Sequence, residues 1–162
     1  MREGRSWRDI SEAIGTLAVI ASLIYVGLQV RQNTVAIQTA TSQQVFELHR
    51  ARAQVEMEDP EFAALLLRAR RTPEQMTAVD SLRYDRYINL SMNLHEAIYS
   101  NVRLGTMERD MAAAWLAGLP GFVCAPGVKG YWGRFKSEYH PTFAAAVDSV
   151  ITEHPVCGEV ER

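Results

Sequence analysis

The sequence predicts an all-α chain in which one N-terminal transmembrane helix continues as a stalk into a small helical bundle, and three observations carry that expectation. Residues 13–30, AIGTLAVIASLIYVGLQV, run 18 positions without a charge between Glu12 and Arg31. Cap-and-proline signals recur at helical intervals, at Asp59-Pro60, Thr72-Pro73 and His140-Pro141. No segment alternates apolar and polar residues over the length of a strand.

At about 1.5 Å per residue, 13–30 approaches the ~30 Å thickness of a bilayer's hydrocarbon. A core helix of a soluble bundle ordinarily keeps a polar stripe. Here the polar side chains are Thr16, Ser22, Tyr25 and Gln29, and helix hydroxyls are tolerated in lipid because they bond back to the backbone. A cleaved secretory signal is the other alternative, with Arg2, Arg5 and Arg8 as its basic region. The run is long for one and no Ala-x-Ala site directly follows it, so an uncleaved anchor is expected.

The flanks orient the segment. Three arginines precede it and only Arg31 follows before Arg50, so the positive-inside bias places the N-terminus in the cytoplasm and the rest in the periplasm of a bacterial inner membrane. Glu3, Asp9 and Glu12 dilute that contrast. Trp7 and Tyr25 fit the headgroup level as interface anchors. Ser11 with Gly15 and Ala18 with Ser22 are small-residue pairs at the i, i+4 spacing that lets a neighbouring helix approach. The segment holds no ionisable residue, so it offers no proton relay, and no histidine for a haem.

The chain thus divides at 1–31 and 32–162. From Gln32 onward 13 Lys plus Arg face 16 Asp plus Glu, a net of −3 that argues against nucleic acid as a partner. Arg68, Arg70 and Arg71 form the one basic cluster, which reads as a solvated helix end complementing the dipole.

Taken in order, Ser6-Trp7-Arg8-Asp9 resembles a capping box and starts the first helix near Trp7. Neither glycine nor proline interrupts Gln32 to Glu58, so the helix should run on for about 25 residues, about 40 Å. Asp59-Pro60-Glu61 begins the next helix, whose buried face is Phe62, Leu65, Leu66 and Ala69. Thr72-Pro73-Glu74-Gln75 closes that helix and opens another. The latter covers about 78–103 with Val79, Leu82, Tyr87, Leu90, Leu94, Ile98 and Val102 inward, until Gly105 stops it. Thr106 caps a helix over 107–117 that turns Met111, Ala114, Trp115 and Leu116 inward. Residues 118–130 are glycine- and proline-rich and read as loop, followed by helices near 126–139 and 141–152.

Cys124 lies just before the first of those last two helices and Cys157 just after the second. In an antiparallel hairpin turning at His140-Pro141 these ends are neighbours, within the ~4.4–6.8 Å Cα separation of a disulfide. Such a bridge suits a periplasmic domain, and closing its loop would stabilise the fold by roughly 3 kcal/mol in the chain-entropy account. Two unrelated thiols are the alternative.

Reaction chemistry is not evident. His49, His95, His140 and His154 are isolated, and His95 and Glu96, adjacent on a helix, point about 100° apart. There is no Gly-x-Ser-x-Gly turn, and Gly127-Val128-Lys129-Gly130 lacks the Lys-Ser/Thr ending of a phosphate loop. Trp115, Tyr131, Trp132 and Phe135 read as core rather than a cofactor box. No enzyme, cofactor or metal is expected.

Leu23-Ile24-Tyr25-Val26-Gly27-Leu28-Gln29-Val30-Arg31-Gln32-Asn33-Thr34, with Pro126-Gly127-Val128-Lys129-Gly130-Tyr131-Trp132 far downstream, resembles a widespread group of uncharacterised bacterial single-pass membrane proteins. In that group an apolar helix ends in an R-Q-N-T-like stretch, and a Pro-Gly-x-x-x-x-Trp element precedes a terminal helical hairpin. The resemblance implies one span plus a helical domain and brings no activity; the cysteine pair is not part of its pattern.

The functional expectation is a non-catalytic, membrane-anchored accessory subunit that stabilises a larger assembly, touching membrane lipid and other membrane protein subunits. Photosynthetic reaction-centre or antenna complexes and respiratory complexes are hosts of that kind. The alternative is an extracytoplasmic ligand-sensing or transport-assisting domain, which predicts a dry pocket of a few hundred Å³ near Trp115 or Trp132.

Overall fold

The computed structural model describes residues 3–159, and among these every regular element is helical. Helix α1 (Glu3–Glu58) is followed by α2 (Pro60–Arg71), α3 (Ala78–Leu104), α4 (Arg109–Leu116), α5 (Leu119–Val123), α6 (Pro126–Phe135), α7 (Pro141–Glu153) and α8 (Pro155–Glu159). Single 3-10 turns lie at Pro73–Gln75 and Lys136–Glu138. The chain forms two compact units, Met1–Thr39 and Ala40–Arg162, and α1 contributes to both.

The first unit is helix throughout its described part. The helix is already formed at Glu3 and does not start near Trp7; the side chain of Ser6, on which the expected capping box rests, lies outside the described residues. With no glycine or proline between Gly27 and Pro60, nothing in the sequence ends the helix before Glu58. The expected stalk needs one correction: from Val45, which is 2% exposed, α1 is a wall of the second unit rather than a free extension.

Capping sets the remaining elements. Asp59 Oδ1 accepts the backbone N–H groups of Glu61 and Phe62, both at 3.0 Å, with Pro60 at the first helical position. Thr72 makes no side-chain cap bond and is followed only by a 3-10 turn. The capping box forms five residues later, where Asp80 N–H donates to Thr77 Oγ1 (3.1 Å) and Thr77 N–H to Asp80 Oδ2 (3.2 Å). The Thr77 backbone N–H holds the Asp80 carboxyl below the usual carboxylate range, assisted by the Thr77 hydroxyl and Arg68. Gly105 ends α3 at φ +73, the left-handed conformation that glycine adopts without strain. Thr106 does not cap α4: its hydroxyl is spent on Asn101, and Glu108 precedes the helix. Part of the expected loop at 118–130 is helix, namely α5 and the start of α6.

Two apolar clusters hold the second unit together. The larger joins α2, α3 and α5 to α8 around Leu65, Ile88, Met92, Val123, Trp132 and Phe143; the smaller joins Val45 to Leu94, Ile98, Met107 and Ala112. At Gly127 the backbone and a neighbouring ring approach closely: an added Cβ would lie 2.8 Å from a ring carbon of Tyr84, so that ring would have to shift. In the middle of the larger cluster Asn89 Nδ2 donates to the Tyr131 hydroxyl (2.8 Å), which lies 3.1 Å from the Tyr139 hydroxyl. Burial pushes the Tyr139 phenol well above its ordinary value. Trp132 Nε1 donates to Asp148 at 2.8 Å and so lowers that carboxyl, with Lys136 3.0 Å from its other oxygen. The interior aromatics are thus accounted for by packing and hydrogen bonds.

The inward faces of α3 and α4 differ from expectation. Val79, Leu82 and Leu90 are more than half exposed, and Tyr84, Ile88, Ser91 and Met92 take the interior instead. On α4 the buried side chain is Ala112, while Met111 and Ala114 face solvent and Trp115 and Leu116 are half-buried.

Candidate functional site

Two features without an internal structural purpose stand out: the apolar part of α1 in the first unit and a groove in the second. In the first, the most apolar 18-residue window has a mean hydropathy of 2.0, and none of it is buried. It is one helix long and apolar enough to cross a membrane, by length and composition. Its hydroxyls are satisfied within the helix. Thr16 Oγ1 donates to Glu12 O (2.9 Å), Ser22 Oγ to Ala18 O (2.8 Å), and Ser11 Oγ to Arg8 O (2.9 Å). Ser11, Gly15, Ala18 and Ser22 share one exposed face by their 4-3-4 spacing, with nothing within 4 Å of the space above Gly15. Trp7 and Tyr25 are likewise exposed.

The groove, about 730 Å³, lies between the last three turns of α1, the start of α2 and the outer face of α3. Leu48, Val55, Leu82 and Leu90 stand on its walls at 48, 52, 59 and 55% exposure. Lone exposed apolar side chains are ordinary; four on one concavity are not. Its floor is tied by a polar bridge between α1 and α3. Arg52 donates to the buried Ser91 hydroxyl (3.1 Å), its Nε lies 3.3 Å from Glu56, and its guanidinium sits 5.6 Å from the centre of the Tyr87 ring. Tyr87 donates to the same Glu56 carboxylate at 2.9 Å. Burial raises the Tyr87 phenol to about 12, Glu56 adds to the rise and Arg52 opposes it, so Tyr87 stays neutral and donating. On the rim Arg83 is 3.3 Å from Asp59.

A smaller cleft of about 170 Å³ lies beside Trp115, lined also by His49, Arg52, His95 and Phe122. His95 Nδ1–H donates to the Ser91 carbonyl (2.7 Å), and its ring stacks on Phe122. Burial pulls its pKa below the ordinary imidazole value, Arg52 and His49 adding to the effect and the Ser91 carbonyl opposing it. Glu96, its neighbour in sequence, instead accepts the His140 backbone N–H at 2.6 Å at the head of α7. Among the described residues no three His, Cys, Asp or Glu side chains converge as a metal site would require.

Comparison with known protein families, with curated sequences and with solved structures finds no match for this chain.

Cys124 and Cys157 are brought together, with Cα atoms 4.7 Å apart, a separation that a disulfide spans. The contact differs in origin from the expected hairpin. Cys124 closes α5 and Cys157 lies in α8, a short helix that the sequence reading did not contain and that packs back on α5 and α7. The pocket expected near Trp115 or Trp132 is also displaced: Trp132 is solidly packed, Trp115 borders the small cleft, and the larger of the two concavities described is the α1–α3 groove. Leu82 and Leu90 signalled it in the sequence, being apolar residues on the face of α3 opposite Ile88 and Met92.

Proposed function

We propose that this chain is a membrane-anchored, non-catalytic accessory subunit. Residues 13–30 cross a bacterial inner membrane with the N-terminus in the cytoplasm, and the helical domain works in the periplasm through contacts with other subunits of a larger complex. The observation that carries the reading is the unburied, charge-free apolar window of α1, a surface that water does not favour and that lipid or another membrane helix satisfies. The excess of arginine before the segment supports the orientation, and the juxtaposed cysteines fit an oxidising compartment. The domain's buried polar groups serve packing and caps, which supports binding over catalysis.

Crosslinking in intact membranes, followed by identification of the neighbours, tests the role. The reading expects the same integral-membrane partners from crosslinks at the apolar segment and at the domain. A chain that crosslinks to nothing and runs alone after detergent extraction would sink it. Thiol labelling from each side of the membrane, before and after reduction, tests the orientation: Cys124 and Cys157 should react only from the periplasmic side, and only once reduced.

A further inference from the structure

We infer that the α1–α3 groove is a binding site for a single-tailed anionic amphiphile, a long-chain carboxylate, whose tail lies along Leu48, Val55 and Leu90 and whose head meets Arg86. The groove's volume, about 730 Å³, falls within the roughly 300–1,000 Å³ of small-molecule sites, and its walls are mostly apolar. Charge selects the head. The lining contains three arginines, Arg52, Arg83 and Arg86, against one carboxylate, Asp59, in a domain whose net charge from Gln32 onward is −3.

Two of those arginines are already engaged, Arg52 with Glu56 and Ser91 and Arg83 with Asp59. Arg86 makes no ion pair with any described residue, which leaves its guanidinium to an incoming carboxylate, the anion its planar fork matches. From Arg86 the groove follows α3 to Ala97, eleven residues or about 16 Å of helix. One tail in a bilayer spans about half of the ~30 Å hydrocarbon core, which is the same length. Besides Tyr87, whose hydroxyl is held by Glu56, Asn93 is the polar residue lining that stretch. The site is independent of the accessory role proposed above, since nothing in it requires a partner subunit.

The test uses the full chain in nanodiscs of neutral phosphatidylcholine, photolabelled with a diazirine-bearing palmitate and mapped by mass spectrometry. Adducts are expected on residues 48–59 and 82–97. Unlabelled palmitate should suppress them about tenfold, and hexadecanol, which has the tail without the charge, less than twofold. Arg86→Gln should lower groove labelling roughly tenfold, the loss of one charge-assisted contact, with an unchanged thermal transition. Leu90→Glu, at an exposed position, should abolish it.

Labelling of 13–30 in the same sample reports membrane contact and should be constant across the variants. Its loss counts against the anchoring role and not against the groove. Adducts confined to 13–30, equal competition by hexadecanol, wild-type labelling in Arg86→Gln, or a groove found covered by a second copy or another protein would each overturn the inference.

Discussion

Residues 13–30 of α1 and helix α7 are both strongly apolar, yet the first has no buried residue in its most apolar window and the second buries Phe143 and Val147 in the main core. The difference lies in the arrangement of the apolar residues. In α7 the buried pair is spaced i, i+4, while Asp148 beside it reaches Trp132 and Lys136 at the edge of the core. One face is therefore matched to the chain's own interior. In 13–30 the apolar residues go all the way round, so no single face of a small domain could satisfy them. Amount of apolar surface says that a segment avoids water; periodicity says whether the same chain supplies the shelter.

Perturbing each region separately sharpens that comparison. The largest effect is expected from Phe143→Ala, which removes a fully buried ring and should cost about 3–5 kcal/mol in urea unfolding of the domain, while membrane association stays unchanged. Ile20→Arg should do the reverse. Near the middle of the apolar run an arginine disfavours insertion by about 2.5–3.5 kcal/mol, read as release from membranes on alkaline extraction, with the domain's unfolding midpoint unmoved. Unfolding of the domain by Ile20→Arg would mean that the apolar run also supports the domain's core.

Gly127→Ala should destabilise by about 1–3 kcal/mol because the new methyl meets the Tyr84 ring at 2.8 Å; Gly130→Ala, with open space around it, is the control and should be tolerated. The smallest effect is set by pH. The folded pKa of His95 lies below its unfolded value near 6.5, so the unfolded chain takes up the proton first. Stability should be flat above that value and fall as the pH drops through it, measured as the urea midpoint, and His95→Gln should remove the slope. Asp80 and Asp148, with lowered pKa values, contribute stability that is lost only in a more acidic window, below 3.8.

Local chemistry made much of the fold legible in the sequence. Asp59-Pro60 and Gly105 mark helix ends through groups within a few residues of each other, and both act as read. Thr72-x-x-Gln75 and Thr77-x-x-Asp80 present nearly the same capping signal five residues apart, and only the second forms a box, its Asp80 also 3.3 Å from Arg68 of α2, a partner that is not local information. The exposed faces of α3 and α4 were hidden for a similar reason. Apolar residues surround α3, and which of them are covered depends on α2, α6 and α7. The groove escaped because its walls come from 48–59, Phe62 and 82–97, three stretches that only the folded chain brings together. The structure brings the cysteines together by a route the sequence did not show, since α8 and not the hairpin alone carries Cys157 to Cys124.

With the bridge between Cys124 and Cys157 closed, the polypeptide between them becomes a ring, 33 positions apart in sequence and sealed through sulfur. A single protease cut inside that ring would add one water to the mass and release no fragment until a thiol reagent was supplied. Whatever peptidases share the domain's surroundings, α6 and α7 would therefore remain tethered to the rest of the protein after a nick that would otherwise shed its C-terminal end.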